Sequence, residues 1–195
     1  MFIRTERLLL HPTWPEDLDE LLALIGEESV ARNLDVQGLP RSREALEAYI
    51  ARPSDPLLPH FFIERRGDDG MELVGGIGLG RDGTAVELGS WIAPAWRGHG
   101  FAVEALLAVL DHARMLGHRR LIACHFVDNQ ATGRVLEKAC FVATGVLRDR
   151  FSPARGGMAP ALVYEADLAE PLAGTSAGAA AAAQKPFAQE PLRQR

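Results

Sequence analysis

The middle of the chain reads Trp91-Ile92-Ala93-Pro94-Ala95-Trp96-Arg97-Gly98-His99-Gly100-Phe101-Ala102-Val103-Glu104-Ala105. A strand-like apolar run enters a short glycine-containing turn, and an apolar-periodic helix begins almost at once. The first N–H groups of a helix have no partner within it, and the helix dipole adds positive potential there. This segment therefore predicts a binding site for phosphate oxygens.

The turn carries three residues suited to an anion. Gly98 and Gly100 have no Cβ, so the backbone can turn tightly and a ligand can approach closely. Arg97 adds a permanent positive charge. A helix that begins after a glycine turn, with no ligand, is the alternative interpretation.

Two well-known phosphate loops are excluded. A P-loop ends in Gly-Lys-Ser/Thr, where this chain has Phe101-Ala102-Val103. A dinucleotide fingerprint has its third glycine where Val103 stands, and an acidic residue about 20 residues further on. The run at residues 116–120 supplies no such acid.

Four segments, in order, carry a family resemblance. Residues 97–102 (Arg-Gly-His-Gly-Phe-Ala) fit the Arg/Gln-x-x-Gly-x-Gly/Ala pattern of the GCN5-related N-acetyltransferases, the GNAT superfamily. Residues 128–141 (Asp-Asn-Gln-Ala-Thr-Gly-Arg-Val-Leu-Glu-Lys-Ala-Cys-Phe) resemble its Asn-x-x-Ser-x-Arg-Val-x-Glu-Lys-x-Gly-Phe segment. Residues 5–10 (Thr-Glu-Arg-Leu-Leu-Leu) and 87–92 (Glu-Leu-Gly-Ser-Trp-Ile) resemble the Rim-type branch, which is similar to ribosomal-protein-alanine N-acetyltransferases.

The resemblance implies an α+β, three-layer α/β/α architecture. It is the acyl-CoA N-acyltransferase fold, whose central sheet is mixed, mostly antiparallel and splayed at the cofactor strand. Residues 1–170 would form this domain. Residues 171–195 are rich in Ala, Gly, Ser, Gln and Pro, which predicts a flexible C-terminal tail.

The resemblance also assigns residues to acetyl-coenzyme A, the implied co-substrate. The pyrophosphate would lie on the turn that contains Arg97, Gly98, His99, Gly100, Phe101 and Ala102. Backbone N–H groups near Trp91, Ile92 and Ala93 would polarise the thioester carbonyl, unless Trp91 and Ile92 are only core residues. Asn129 would hydrogen-bond the pantetheine amides or only cap a helix, and Arg134 would meet the 3′-phosphate or belong to a solvated face.

Two residues are candidates for proton transfer. An alkyl amine has a pKa of about 10 and must lose a proton before it attacks. Glu87 lies on the cofactor strand and matches a Rim-type Glu, so it is the candidate general base; it could instead orient the substrate or face solvent. Many family members protonate the leaving thiolate with a Tyr, and Leu136 stands at that position here. The candidate proton donor is therefore the hydroxyl of Thr132, unless Thr132 only shapes the first turn of the helix.

Composition narrows the classes of partner. The 195 residues are 47% hydrophobic, with a net charge of −5 and a pI near 5.7, which argues against nucleic acid as the main partner. The sequence predicts no membrane span, no signal peptide and no metal site, and so a cytoplasmic protein. Cys124 and Cys140 are expected to be buried thiols. A homodimer is left open.

The hydrophobic pattern predicts the element order β-α-α-β-β-β-α-β-α-β-β. Thr13 is predicted to cap the first helix with Glu16, and Ser42 to cap a second helix that ends at Ile50. A long helix is predicted from Phe101 to Leu116. A shorter one, from 129 to 139, is predicted to be capped by Asp128.

The leading functional hypothesis is an enzyme. It would move an acetyl group from acetyl-coenzyme A to a primary amine, on a protein N-terminus or a small molecule, by direct attack in a ternary complex. The acidic first helix would favour a cationic amine if it borders the acceptor site, or it is a solvated face. The alternatives are a catalytically idle acyl-coenzyme A sensor or scaffold, and a nucleotide-binding regulatory domain unrelated to acetylation.

Overall fold

The computed structural model describes residues 1–34, 40, 42–67 and 70–169. The predicted tail at 171–195 lies outside this range. Within it, none of the helices is both long enough and apolar enough to cross a membrane.

Among the described residues, the centre of the fold is one sheet of eight strands. In space they follow the order β1-β2-β3-β4-β5-β6-β8-β7, and only the β5–β6 pair is parallel. The mixed, mostly antiparallel sheet is therefore confirmed. The strands are β1 (Ile3–Arg4), β2 (Leu8–His11), β3 (His60–Gly67), β4 (Gly70–Asp82), β5 (Ala85–Ile92), β6 (Arg120–Phe126), β7 (Val142–Ser152) and β8 (Gly157–Asp167).

Helices cover both faces of this sheet. They are α1 (Leu18–Gly26), α2 (Glu28–Ala31), α3 (Arg43–Ile50), α4 (Phe101–Met115) and α5 (Gln130–Lys138). Neighbouring side chains on a strand point to opposite faces: Phe61 packs with Leu106 of α4, whereas Phe62 packs with Leu21 of α1 and Leu46 of α3. This confirms the three-layer architecture, with α4 and α5 on one face and α1 and α3 on the other.

The helix starts confirm one predicted cap and correct two. Ser42 caps α3, since its hydroxyl accepts the Ala45 N–H. The first helix instead begins through a 3₁₀ turn, where the Asp17 carboxylate accepts the backbone N–H of Trp14. The predicted Thr13–Glu16 box is therefore wrong by one residue. Likewise Asn129, not Asp128, caps α5, because its side-chain oxygen faces the helical N–H groups.

The end of α5 explains an unusual residue of the motif. Cys140 has φ +65°, a left-handed conformation that normally selects glycine. The Cys140 N–H donates to Glu137 and the Phe141 N–H donates to Leu136, which is the Schellman pattern. The departure from the family's glycine thus keeps the turn, at the expense of local strain.

The structure corrects the expected burial of the cysteines. Cys140 is exposed and Cys124 is only partly buried. Edge strand β7 leaves further apolar side chains in solvent, including Val142, Leu147 and Phe151. Such a row is compatible with a homodimer, which stays a prediction.

The sheet opens beside β5, as the resemblance implies. Strands β5 and β6 share one register pair, Glu87 with Ile122. Beyond that pair, β5 continues for five residues to Ile92 without a partner residue on β6. The opening ends at the turn that leads into α4.

Candidate active site

A turn built from backbone N–H groups forms one end of the opening. Gly98 and Gly100 have φ +82° and +81°, so the prediction that this turn needs glycine is confirmed. Among the described residues, no acceptor meets the N–H groups of Gly98, His99 or Gly100. The first three N–H groups of α4, from Phe101 onward, follow directly and also have no helical partner. We call residues 98–103 the N–H nest.

The Rim-type Thr5–Arg7 segment holds this nest in place. Arg7 donates to the carbonyl of His99 at 2.9 Å and forms a 2.6 Å ion pair with Glu104. Thr5 donates to the same Glu104 carboxylate at 2.6 Å. Burial would raise the pKa of Glu104, but the hydrogen bonds from Thr5 and Arg7 outweigh it and lower the pKa. Glu104 therefore stays charged and anchors the first turn of α4.

Arg97 points away from the nest. Its Nε donates to the Ile92 carbonyl at 3.2 Å and its Nη2 to the Ser29 carbonyl at 3.1 Å. The guanidinium thereby ties the end of β5 to α2. His99 stacks on Phe101, with ring centroids 5.7 Å apart. Ala102 lies half-buried in the first turn of α4.

The edge of β5 facing the opening is also built from backbone. The Ala93 N–H donates to the Val74 carbonyl at 2.8 Å, so the expectation of a free N–H at Ala93 is wrong. Because antiparallel pairing alternates, Trp91 likewise faces β4. Ser90 and Ile92 therefore direct their N–H groups toward the opening. Of the predicted Trp91, Ile92 and Ala93, only Ile92 has its N–H group there.

A cavity extends from this opening across the α1–α3 face of the sheet. Glycines form much of its floor, and a Cβ built on Gly89 would meet nothing within 4 Å. Trp91 forms part of its wall. A Cβ on Gly76 or Gly78 would instead collide with Trp91 or His60, so these two glycines make room for the wall and Gly89 leaves open space.

A buried ion pair lies in the cavity wall. Arg150 of β7 contacts Glu87 through its Nη2, and the two side chains are only 12% and 13% exposed. The same nitrogen lies 3.6 Å from the Cys124 sulfur. Burial chiefly raises the pKa of Cys124 to about 11, so the thiol is protonated near neutral pH. Glu87 is thus a partly enclosed carboxylate with a fixed cationic partner.

A tyrosine–histidine pair forms another part of the wall. The Tyr49 hydroxyl lies 3.1 Å from His60 Nδ1. Burial raises the pKa of Tyr49 and lowers that of His60. Both side chains are therefore neutral near pH 7, and the pair offers polar contacts without charge.

The start of α5 borders the same cavity. Asn129 Oδ1 accepts the Thr132 N–H at 3.4 Å, and both residues line the cavity with Glu87. Leu136 is buried in the core, so an aliphatic side chain fills the place of the family's Tyr. Arg134 is exposed on the outer surface of α5.

The structure therefore brings the two candidate catalytic residues, Glu87 and Thr132, to one cavity. It adds side chains that the sequence analysis missed: Arg150, Tyr49 and His60. Arg150 alternates with Arg148 along β7, a period-two charge pattern that marks one strand face. Glu104 could have been suspected as an acid in the first turn of α4, whereas no local pattern distinguishes Tyr49 or His60.

Comparisons with known proteins agree with this geometry. Residues 7–142 match the family described as Acetyltransferase (GNAT) domain. The uncharacterized N-acetyltransferase YoaA of Bacillus subtilis (strain 168) is 31% identical over 154 residues, 75% of this chain and 85% of its own.

Solved structures share the fold at lower identity. Spermidine N-acetyltransferase from Vibrio cholerae, in complex with CoA and spermine, superposes with a TM-score of 0.69 at 20% identity, over 84% of this chain and 97% of its own. RimL, a ribosomal L7/L12 alpha-N-protein acetyltransferase in complex with coenzyme A, gives a TM-score of 0.67 at 19% identity, over 86% and 98%. With its family match, its fold and a splayed sheet that ends in an N–H nest, this chain belongs to the GNAT family of N-acetyltransferases.

Proposed function

We propose that this protein transfers an acetyl group from acetyl-coenzyme A to a primary amine by direct attack within a ternary complex. The observation that carries the proposal is the continuity of one opening. The N–H nest lies at one end, the exposed edge of β5 runs along it, and a carboxylate lies in the adjoining cavity.

The nest supports the coenzyme part of this proposal. Several N–H groups converge at the positive end of the α4 dipole, an arrangement suited to pyrophosphate oxygens. The N–H groups of Ser90 and Ile92 would then receive amide or thioester carbonyls along the opening. Two similar folds hold coenzyme A, in RimL and in the Vibrio cholerae spermidine N-acetyltransferase.

Glu87 is proposed to accept the proton of the attacking amine, directly or through water. The ion pair with Arg150 fixes the direction of the Glu87 carboxylate. A positioned water between carboxylate and amine could relay the proton, accepting it from the amine while donating one to Glu87, without breaking the ion pair.

Thr132 is proposed to donate a hydrogen bond to the departing sulfur. It lies half-buried at the first turn of α5, with its backbone held by Asn129. Asn129 has a second role in the proposal, since its amide also borders the cavity and can pair with the pantetheine arm. Coenzyme A is a fair leaving group, so one hydroxyl is sufficient.

The acceptor is proposed to be an amine attached to a partly apolar body, either a protein N-terminus or a small molecule. Trp91 and Phe62 supply apolar wall, and the neutral Tyr49–His60 pair supplies hydrogen bonds. The bound spermine of the Vibrio cholerae neighbour supports an amine class.

Calorimetry with acetyl-coenzyme A, followed by turnover with an amine panel, tests the proposal. The panel contains an N-terminal peptide, its N-acetylated form as control, spermine and free amino acids. Released coenzyme A is followed by chromatography, because the exposed Cys140 would react with thiol dyes. Binding with amine-dependent release supports the enzyme. Binding without release for any amine favours the idle sensor, and preference for ATP or NAD contradicts the proposal.

A further inference from the structure

We propose that His11, Asp17 and Glu64 form a binding site for one divalent transition-metal ion, distinct from the acetyl-transfer cavity. One ligand atom from each of these residues lies within 4.8 Å of the other two. The sequence predicts no metal site, since its two cysteines lie in apolar surroundings. Of the three residues named here, Glu64 lies far from the other two in the sequence. This inference does not depend on the proposed acetyl transfer.

The ring of His11 is the strongest observation. It is fully buried at the end of β2, and its Nε2 has no hydrogen-bond partner. Its other nitrogen, Nδ1, lies 2.7 Å from the Pro12 carbonyl, so Nδ1 must carry the proton. Metal-ligating histidines commonly donate their second ring N–H to a backbone carbonyl in this way. Nε2 therefore presents its lone pair or a second proton toward the two carboxylates.

The two carboxylates lie on the side to which Nε2 points. Glu64 Oε1 is 3.7 Å from Nε2, and the Glu64 side chain is 17% exposed. Glu64 lies opposite Leu9 in the β2–β3 register, which makes it a diagonal neighbour of His11 on the same sheet face. Asp17 approaches from the 3₁₀ turn above, where the Trp14 N–H holds one carboxylate oxygen.

Charge explains why a cation fits here. A neutral imidazole would aim its lone pair at two negative carboxylates, which is repulsive without a cation between them. A divalent ion at about 2.1 Å from each ligand removes that repulsion and satisfies Nε2. One imidazole with two carboxylates is a ligand set that Zn²⁺ and Mn²⁺ both accept, and water would complete the coordination.

The surrounding rings make the site rigid before any ion binds. Trp14 stacks on His11 with centroids 4.1 Å apart, and Phe62 meets its edge at 6.1 Å. The bound ion would join β2, β3 and the start of α1. Thr13, in the same connection, borders the acetyl-transfer cavity, so the ion would stabilise that part of its wall.

Zinc titration of tag-free, chelator-treated protein tests this inference, with Co²⁺ absorption as a report on the ligand set. We expect one Zn²⁺ per chain, and affinity lowered about ten-fold or more in Asp17→Asn and in Glu64→Gln. Glu16→Gln removes the same charge from the same turn and is the matched control, expected to bind as wild type. Near-UV circular dichroism verifies that each variant is folded.

Two results would overturn the proposal. One is wild-type protein that takes up no Zn²⁺ after chelation and readdition. The other is Zn²⁺ affinity that is unchanged in both Asp17→Asn and Glu64→Gln.

Discussion

The N–H nest and the cavity lined by Glu87 meet at the same opening but are built differently. The nest uses backbone from six consecutive residues, 98–103, and is held by Arg7 and Glu104. The cavity uses side chains from β3, β5, β6, β7, α3 and the start of α5. The nest is therefore sensitive to backbone conformation at one or two positions, whereas the cavity is sensitive to charge and burial at many.

Gly100→Trp tests the N–H nest, which is built from backbone, and has the largest expected effect. The indole would cover the nest and force a side chain onto φ +81°. Loss of two or three charge-assisted hydrogen bonds should weaken acetyl-coenzyme A binding by about a thousand-fold, near 4 kcal/mol. Gly83→Trp is the control for calorimetry, since Gly83 has φ +61° with open space around it, in the β4–β5 turn. Equal losses in both variants would contradict the assignment.

Arg150→Met tests the cavity, which is built from side chains. It leaves the Glu87 carboxylate enclosed without its cation, which should reduce the free energy of unfolding by about 3 kcal/mol. Arg148→Met is the matched control, because Arg148 lies on the same strand in a more exposed pair with Asp82 and should cost under about 1 kcal/mol. Urea denaturation measures both, and similar costs would argue against an enclosed ion pair.

Glu87→Gln tests chemistry in the cavity while leaving the nest intact. The amide cannot accept the amine proton, so kcat should fall about a hundred-fold with little change in acetyl-coenzyme A affinity. Glu165→Gln removes the carboxylate of another strand Glu–Arg pair, with Arg120, and should retain full activity. A variant that keeps wild-type kcat and its pH profile would exclude Glu87 as the base.

Cys124 lies in the cavity wall, whereas Cys140 lies in an exposed turn. The pKa of Cys124 is raised to about 11 from an ordinary value near 9.0. The folded state thus holds this proton more tightly, and its contribution to stability is present below pH 9 and lost as pH rises through 11. Cys124→Ala should flatten the decline in unfolding free energy over that range by on the order of 1 kcal/mol. Cys140→Ala removes the other, exposed thiol and is the matched control variant.

Cys140→Gly has the smallest expected effect and tests the left-handed backbone at the end of α5. Glycine removes the left-handed strain at φ +65°, worth about 1–2 kcal/mol, but adds freedom to the unfolded chain worth about 0.5–1 kcal/mol. The net gain should be about 0.5 kcal/mol in thermal or urea unfolding. Cys140→Ala keeps the strain and should give no gain, so a gain in both variants would point to the thiol instead.

The backbone-built nest could be predicted from the sequence more fully than the cavity, which is built from side chains of distant strands. Local patterns were enough for the strand that leads into the glycine turn, which is β5, and for the glycines of the nest. They selected Glu87 and Thr132 as candidates, which remain predictions. They did not find Arg150, because that partner of Glu87 comes from a strand 63 residues away. The caps at Trp14 and Asn129 were misplaced by one residue, since neighbouring Asp, Asn and Thr side chains compete equally well for the same N–H groups.

The single register pair between β5 and β6 has a mechanical consequence. Hydrogen bonding divides the eight strands into one block of five and one of three, joined at Glu87 and Ile122 and backed by the α4 core. A long, thin molecule lying in the gap would complete the row of main-chain bonds, as an added strand would. If acetyl-coenzyme A is that molecule, as proposed, the sheet would be stiffer while it is bound. The stiffness would fall again when the coenzyme leaves in each catalytic cycle.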